Sequence, residues 1–504
     1  MKHNFKLLSF VLLFCITFLS CKKGFLDVNS DPNRVTDDNI TPELIFTQAE
    51  VAVGDRQVGS SSEFAGLTNP LQFVQDWIGY MAPNGDYVPL SQEINYNLDY
   101  SFGDLLFRSY YNVLFDLHQS EVKGLASGDT ALSAASIILS AKLFQDVVDL
   151  YGDIPYSEAF SHGKTTHPKY DKAQDIYNAL QLRLDDAIKY MNKPVAGKFV
   201  RADVINGGNA TRWIKFANTL KLRLLIRQSQ VATLNYATEI AKINANGGVL
   251  GSGETISVNP GYVNSINKQS PFYAIYGYSP IGNRSITADN ANAYIINILN
   301  NNNDPREAQL FTSVGGKYVG AKYGDQQINL PKGINASYFG PGIVGSASQN
   351  QWIIPSYESL FYKAEAIAQG WMAGDVKQAY QDAVTESFVF LGVPDAVNAA
   401  ANYMSTASIA NWNNAGTDKA SQVKFIAYQK YIANTAIDAL ESYADQRRLH
   451  FLPDNGYISI SPAVASNSLP LRLLYPQSEY TTNAENVNKV GTINIFTSKI
   501  FWQP

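Results

Sequence analysis

Two nearby carboxylates, Asp153 and Glu158, are the residues whose types and spacing most suggest chemistry. Glycoside hydrolases use such a pair, with one carboxylic acid as the proton donor and the other as base or nucleophile. Gly152 and Pro155 flank Asp153, however, and these residue types shape a tight exit from a helix, where an Asp side chain bonds to nearby backbone. We therefore interpret this segment as a structural turn.

The sequence lacks the other patterns that mark catalytic or metal sites. Beyond residue 20 the histidines do not have the spacing of metal ligands. No Gly-x-Ser-x-Gly elbow, His-Glu-x-x-His motif or phosphate-binding glycine loop occurs. Asp304-Pro305-Arg306 is predicted to be a turn held by an ion pair. We predict a protein that is not an enzyme, with no catalytic residue, no cofactor and no metal.

Aromatic, amide and guanidinium groups gather in turn-rich segments instead. Sugar rings stack their C–H faces on aromatic side chains, and their hydroxyls bond to amide and guanidinium groups. Residues 76–87 and residues 273–284 offer that mixture, and Trp352 is a third candidate with Tyr323 and Tyr338 in the same loop-rich region. The predicted ligand-binding residues are Trp77, Tyr80, Asn84, Tyr87, Tyr276, Tyr278, Asn283, Arg284 and Trp352.

The first residues of the chain predict export and a lipid anchor. Lys2 and Lys6 precede an apolar run of 13 residues, 7–19, which is shorter than the roughly 20 residues that span a bilayer. Such a run is typical of a signal peptide, here residues 1–20. The following Cys21 resembles the cysteine of a bacterial lipobox, which is lipidated and becomes the mature N-terminus. An ordinary signal peptide with a cysteine nearby is the alternative.

The composition excludes some functions and favours another. The chain has 504 residues, with 39 Lys and Arg against 44 Asp and Glu, a net charge of −5 and no basic stripe, so we predict no nucleic-acid partner. The hydrophobic share of 45% suffices for a large core. Aromatic residues make up 12% and charged residues only 16%, which favours a polar, uncharged surface suited to sugars or other neutral polar ligands.

Helical periodicity dominates two stretches, about residues 40–245 and 355–450. In residues 137–151 the apolar side chains recur every three or four positions, which predicts a helix that ends at Gly152. Asp171 is predicted to cap the next helix.

A later pair of predicted helices, residues 357–368 and 376–387, is separated by only a few residues. Small residues every three or four positions let such helices approach closely, as in tetratricopeptide hairpins. Between about 246 and 354 the helical periodicity lapses and turn signals accumulate. The predicted fold class is mostly α, a tetratricopeptide-like scaffold of helical hairpins with long irregular ligand-binding loops.

Six motifs spread over the chain are specific when taken together. They are Cys21-Lys22-Lys23-Gly24-Phe25-Leu26-Asp27, Asp-Leu-Tyr-Gly-Asp-Ile-Pro-Tyr-Ser-Glu-Ala at 149–159, the Leu- and Arg-rich residues 213–227, Asn303-Asp304-Pro305-Arg306, Ala364-Glu365-Ala366, and Arg472-Leu473-Leu474-Tyr475-Pro476 with Glu479 and Asn483. In this order they resemble the SusD/RagB family of Bacteroidetes outer-membrane lipoproteins. The resemblance implies a single SusD-like domain over residues 21–504.

The resemblance also implies a function. Members of that family capture oligosaccharides, or in some branches peptides, and pass them to a SusC-like TonB-dependent transporter without catalysis. The expected location is the outer membrane, through the lipid on Cys21 and facing the cell exterior. Three alternatives stay open: a peptide-capturing member of the family, a surface glycoside hydrolase, and a helical scaffold that binds only protein.

Overall fold

Helices make up most of the protein, as the periodicity predicts. The computed structural model describes residues 40–58, 72–83, 90–161, 164–325 and 336–504. Within these ranges the α-helices are Pro42–Val58, Gln72–Trp77, Ser91–Asn95, Asp104–Ser127, Thr130–Tyr151, Ala173–Met191, Gly197–Ala202, Ala210–Arg227, Ala237–Ala245, Pro271–Tyr276, Ala293–Asn301, Glu307–Leu310, Ser356–Ala368, Val376–Phe390, Ala396–Thr406, Lys419–Ala433, Ala439–Leu449, Gln477–Thr482 and Ala484–Val490.

The described strands are short and form three antiparallel pairs. They are β1 (Met81–Pro83), β2 (Ile154–Pro155), β3 (Tyr170–Asp171), β4 (Ile256–Val258), β5 (Asp289–Ala291) and β6 (Gln351–Ile354). Strand β1 pairs with β5, β2 with β3, and β4 with β6. Each pair joins two irregular segments by backbone hydrogen bonds and holds them in place. Since the strands are few and short, the fold class is mostly α, as predicted.

The first helical hairpin consists of Asp104–Ser127 and Thr130–Tyr151. Asp129 caps the second helix by accepting a hydrogen bond from the backbone N–H of Leu132 at 3.1 Å. The hydroxyl of Ser136 donates to that of Ser120 at 3.0 Å, which shows how closely the two helices approach. Short-looped, tightly packed pairs of this kind confirm the predicted hairpin scaffold.

The helix Thr130–Tyr151 lies at the centre of the protein. By length and hydropathy it could cross a membrane, yet 94% of its most apolar window is buried inside the fold, so it is a core helix. It ends at Gly152, whose φ is +78°, as the sequence predicts. The prediction for the next helix was wrong: Asp171 lies in β3, and Asp153 instead accepts from the N–H of Ala173 at 2.8 Å, where that helix begins.

A buried charge cluster joins this central helix to the second half of the chain. Arg227 bonds to Asp149 at 2.9 Å and to Glu441 at 2.5 Å, and Glu441 also accepts from Lys430 at 2.9 Å and Arg223 at 3.0 Å. Burial alone would raise the pKa of Glu441, but these three cations hold it well below its usual value. Burying an unpaired charge is energetically unfavourable. The cluster therefore favours the one arrangement of its four helices that brings these opposite charges together.

The turn at residues 304–306 is another buried ion pair. Arg306 bonds to Asp304 at 2.6 Å, and both side chains are fully buried. The remaining donors of Arg306 reach Ser387 and Gln429, each at 3.0 Å. The ion pair predicted from Asp304-Pro305-Arg306 is therefore confirmed, and it anchors the loop-rich region to two scaffold helices.

Candidate ligand-binding site

An exposed hairpin, residues 277–285, presents three of the predicted ligand residues. The backbone N–H of Ser279 donates to the carbonyl of Asn283 at 2.7 Å, which closes the hairpin. The two strands of the hairpin place Tyr278 directly opposite Arg284. Side chains on opposite residues of such a pair lie close together on one face.

Arg284 is held between two tyrosines, and we call Tyr278, Arg284 and Tyr338 the arginine–tyrosine cluster. The guanidinium carbon lies 3.8 Å from the ring centre of Tyr338 and 5.1 Å from that of Tyr278. One guanidinium N–H also donates to the Tyr278 hydroxyl at 3.2 Å. Each such cation–aromatic contact contributes about 0.5–1 kcal/mol at an exposed site, so the three side chains hold one another in place.

The cluster is accessible from solvent. Tyr278 is 37% exposed, Asn283 is exposed, and Arg284 is half-buried. Tyr273 extends the aromatic surface, with its ring centre 6.4 Å from that of Tyr278. Among the described residues no partner bonds to the side-chain amide of Asn283, so it is available to a ligand.

These groups suit a polar, uncharged ligand. A tyrosine ring offers a flat face for the C–H groups of a sugar or for an aliphatic side chain. Arg284 has five N–H donors in a fixed plane, and only one of them is used within the described chain. An adjacent amide adds a donor and an acceptor. The arrangement can therefore stack one part of a ligand and bond to its hydroxyl or carbonyl oxygens.

Three buried carboxyls lie where β5 begins, five residues after Arg284. Burial, followed by Glu93 and Asp289, raises the pKa of Asp76 well above its usual value. Burial and the charge of Glu93 raise the pKa of Asp289 to about 7. Gln72 donates a hydrogen bond to Asp289 and only partly offsets this. Burial thus raises the pKa of each of these carboxyls above its ordinary value.

Two of the predicted residues, Trp77 and Tyr80, are core residues and not ligand residues. Both are fully buried. The rings of Phe73, Tyr96, Phe102 and Tyr443 surround the indole of Trp77. Its N–H donates to the carbonyl of Glu93 at 3.3 Å. The Tyr80 hydroxyl donates within the protein as well. Since their polar atoms are satisfied internally, neither side chain can meet a ligand.

Tyr276 and Trp352 are corrected in the same way. Their exposures are 2% and 6%, and both pack against Phe272. The indole N–H of Trp352 points towards the carbonyl of Ile437 at 3.4 Å. These rings form a buried hydrophobic layer within the loop-rich region, whereas the sequence predicts them on its surface.

Three further predictions lie outside the described residues. Asn84 and Tyr87 fall in residues 84–89, and Cys21 with the signal peptide falls in residues 1–39. Pro83, which precedes the first of these segments, pairs with Asp289 of β5.

The paired carboxylates at 153 and 158 have structural partners. Asp153 bonds to the N–H of Ala173 and, at 2.9 Å, to Lys172. Glu158 accepts from the backbone N–H of Lys169 at 3.0 Å. Both hold the β2–β3 connection together, which confirms the interpretation of this segment as a turn.

Sequence reasoning missed a cavity of about 570 Å³ beside helix Ala293–Asn301. Asn297 and Asn301 line it, and their spacing of four residues would have placed them on one helical face. Lys322, Tyr428 and Asp454 come from distant parts of the chain and gave no signal, whereas Tyr323 was already a candidate beside Trp352. Among the residues that the structure describes, no group of three or more His, Cys, Asp or Glu side chains could hold a metal ion.

The fold and the site together define a helical scaffold protein with an exposed aromatic and arginine surface for a polar ligand. Comparison with protein families gives a match over residues 32–476 to SusD-like proteins, described as starch-binding and associating with the outer membrane. The chain belongs to this SusD-like family. This family assignment supports a nutrient-binding, glycan-associated protein of the outer membrane.

Solved structures show the same fold. A SusD homologue from Bacteroides fragilis has a TM-score of 0.74 and 19% identity, with 92% of this chain and 99% of that chain covered. A chitin-binding SusD homologue from Flavobacterium johnsoniae has a TM-score of 0.74 and 22% identity, covering 91% and 98%. A SusD/RagB family protein from Bacteroides thetaiotaomicron has a TM-score of 0.72 and 18% identity, covering 92% and 99%. Comparison with curated protein sequences found no match.

Proposed function

We propose that this protein captures oligosaccharides at the outer membrane and delivers them uncleaved to a SusC-like TonB-dependent transporter. A lipid on Cys21 anchors it, and residues 21–504 act as one SusD-like domain that faces the cell exterior. The observation that carries the proposal is the arginine–tyrosine cluster on the exposed hairpin.

The cluster supports carbohydrate as the ligand because its parts match a sugar. The ring of Tyr278 supplies a stacking face, and Arg284 and Asn283 supply planar donors beside it. The guanidinium of Arg284 keeps N–H donors that can bond to the hydroxyl oxygens of a neutral sugar. The chitin-binding relative from Flavobacterium johnsoniae gives a neutral glycan as the first probe.

The carboxylates support capture without cleavage. A glycosidase keeps two carboxyl groups free beside the scissile bond. Asp153 and Glu158, the pair that the sequence offers, are bonded to backbone N–H groups and a lysine.

Calorimetric titration of the purified mature protein tests the proposal. Chitohexaose, maltohexaose and a neutral hexapeptide are titrated into wild type, Tyr278→Ala and Arg284→Ala, and each mixture is then assayed for cleavage. We expect an intact oligosaccharide to bind and both variants to weaken it by at least about tenfold, since a hydrogen bond to a charged group contributes about 1.5–3 kcal/mol.

Arg108→Ala is the matched control, because Arg108 is an exposed arginine on a scaffold helix whose ion pair within the described residues is with Asp104. It should bind like wild type. Binding of the hexapeptide alone would establish the peptide-capturing alternative, and released shorter sugars would establish a hydrolase.

The anchor and the partner need separate tests. Cys21→Ala should release the mature protein from the membrane fraction, and a variant that still sediments with membranes would overturn the anchor. Protease added to intact cells should remove the wild-type protein if it faces outwards. A SusC-like transporter should co-purify with the detergent-solubilised protein.

A further inference from the structure

The 570 Å³ cavity is an open groove built by four separate segments, and we call it the asparagine groove. Helix Ala293–Asn301 contributes one part of the lining, Lys322 and Tyr323 a second, and Tyr428 a third. The fourth part is Pro453, Asp454, Gly456 and Ile460. None of these residues belongs to the arginine–tyrosine cluster.

The groove is held open by backbone contacts between its walls. The N–H of Ala293 donates to the carbonyl of Ala321 at 2.7 Å, and the N–H of Ile460 donates to that of Tyr323 at 3.0 Å. When the residues around a site are already ordered, binding loses little further conformational entropy, and this favours affinity.

Tyr294 lines the groove, and its buried hydroxyl has no hydrogen-bond partner in the described chain. The residue is only 8% exposed, and no described atom bonds to its hydroxyl oxygen. Its ring packs closely against two glycines. A Cβ at Gly79 would lie 2.9 Å from the ring, and a Cβ at Gly456 would lie 2.8 Å from it. A buried hydroxyl of this kind is costly unless something bonds to it, and a ligand in the groove can do so.

Two amides and one pair of opposite charges complete the lining. Asn297 and Asn301 are exposed and one helical turn apart, and their side-chain amides make no hydrogen bond to the described residues. Lys322 and Asp454 contribute one positive and one negative charge, so the lining has no net charge. Burial and then the nearby charge of Asp454 raise the pKa of the Tyr428 hydroxyl to about 12.

Asparagine amides, tyrosine rings and a free phenol are the groups that bind neutral hydroxyl-rich molecules. We infer that the asparagine groove is a second carbohydrate-binding site, separate from the hairpin and specific for a neutral oligosaccharide. This inference rests on the proposed function, because it assigns the same class of ligand.

The two sites lie at opposite ends of β5. The hairpin ends at residue 285, before the strand begins at Asp289, and the helix that lines the groove begins at Ala293, after the strand ends. A ligand can therefore occupy one site while the other is empty, and a longer oligosaccharide could contact both. Two weak sites on one molecule raise the overall affinity for a polymer through effective concentration.

Calorimetric stoichiometry with chitohexaose and maltohexaose tests the inference on the mature protein. The groove variant is Asn297→Ala with Asn301→Ala, and Asn300→Ala is its control, since Asn300 is an exposed neighbour outside the groove. Tyr294→Phe removes only the hydroxyl. The hairpin variant is Tyr278→Ala with Arg284→Ala.

We expect two hexasaccharides to bind per wild-type chain, one per chain for either double variant, and none when both are combined. Tyr294→Phe should weaken the groove site severalfold, and Asn300→Ala should change nothing. If wild type binds one hexasaccharide and only the hairpin variant loses it, the groove is overturned and the proposed function stands. If only the groove variant loses it, the groove is supported and the hairpin is overturned. Binding of neither sugar to wild type would overturn both.

Discussion

The guanidinium of Arg284 lies 3.8 Å from the ring centre of Tyr338, and this contact joins two separate loops. Tyr338 itself is fixed, because its backbone N–H donates to the hydroxyl of Thr312 at 3.2 Å and its carbonyl accepts from the N–H of Thr312 at 2.8 Å. The hairpin that carries Arg284 therefore rests on a rigid support. One arginine both positions the hairpin and offers donors to a ligand.

The planarity of Arg284 should matter as much as its charge. Lysine keeps the charge but has neither the planar fork nor the same stacking on tyrosine. We expect Arg284→Lys to lose most of the oligosaccharide affinity that Arg284→Ala loses, on the order of tenfold. Isothermal titration of both variants measures this. Wild-type affinity in the lysine variant would show that charge alone is required.

Removing the charge of Glu441 should destabilise the protein strongly. Glu441 pairs with Arg223, Arg227 and Lys430 in a fully buried position. Glu441→Gln leaves these cations without enough negative charge, and breaking a buried pair costs about 3–5 kcal/mol. Urea denaturation measures the free energy of unfolding.

The surface pair Asp104–Arg108 provides the control for Glu441. Arg108 is largely exposed, and exposed pairs contribute about 0–1 kcal/mol. Asp104→Asn should therefore lower the free energy of unfolding by less than about 1 kcal/mol. Equal losses in the two variants would mean that the buried cluster contributes no more than a surface pair.

Stability should fall as the pH rises towards neutrality, partly because of Asp289. Its pKa is 3.8 in the unfolded reference and about 7 when folded, so between these values the native state holds more protons than the unfolded state. The free energy of unfolding then decreases from about pH 4 to about pH 7 and levels off above that. Asp289→Asn should reduce the difference between the free energies of unfolding at pH 5 and pH 8, which denaturation curves at both pH values measure.

Asp186→Asn is the control for this pH dependence, because Asp186 is an exposed acid paired with Lys189. Its stability profile should match that of wild type. An unchanged slope in Asp289→Asn would show that Asp289 is ionised in the folded protein at pH 5, against the raised pKa.

Periodicity and turn chemistry predicted the scaffold well, because those signals are local. The end of the central helix at Gly152 and the ion pair Asp304–Arg306 both arise within a few residues. The charge cluster was not predicted, since Arg227 and Glu441 are brought together only by tertiary packing.

The aromatic residues show where local reasoning fails. Trp77 lies in a segment broken by proline and glycine, which suggested a surface loop, yet rings from Phe102 and Tyr443 cover it. Tyr278 has a similar sequence setting and is exposed. Burial depends on distant segments. For the same reason the sequence does not reveal that the helical face of Asn297 and Asn301 meets Lys322 and Asp454 in one groove.

Trp77→Ala should therefore reduce stability and leave the ligand site intact at permissive temperature. Replacing a fully buried large aromatic residue by alanine costs about 3–5 kcal/mol. Tyr278→Ala, at an exposed position, should change stability by only about 0.5 kcal/mol while it weakens binding. Thermal denaturation and titration on both variants separate the two effects. A stable Trp77→Ala protein that no longer binds sugar would restore Trp77 as a ligand residue.

The asparagine groove depends on a glycine that makes room for the buried tyrosine. A Cβ at Gly456 would lie 2.8 Å from the Tyr294 ring and 3.0 Å from a carboxylate oxygen of Asp454. Gly456→Ala should push the ring aside, lower stability by about 1–3 kcal/mol through overpacking, and weaken the groove site while the hairpin site keeps its affinity. Gly197→Ala is the control, since its nearest neighbouring atom lies at 3.8 Å. Unchanged binding at both sites in Gly456→Ala would show that the position of Tyr294 does not matter to the ligand.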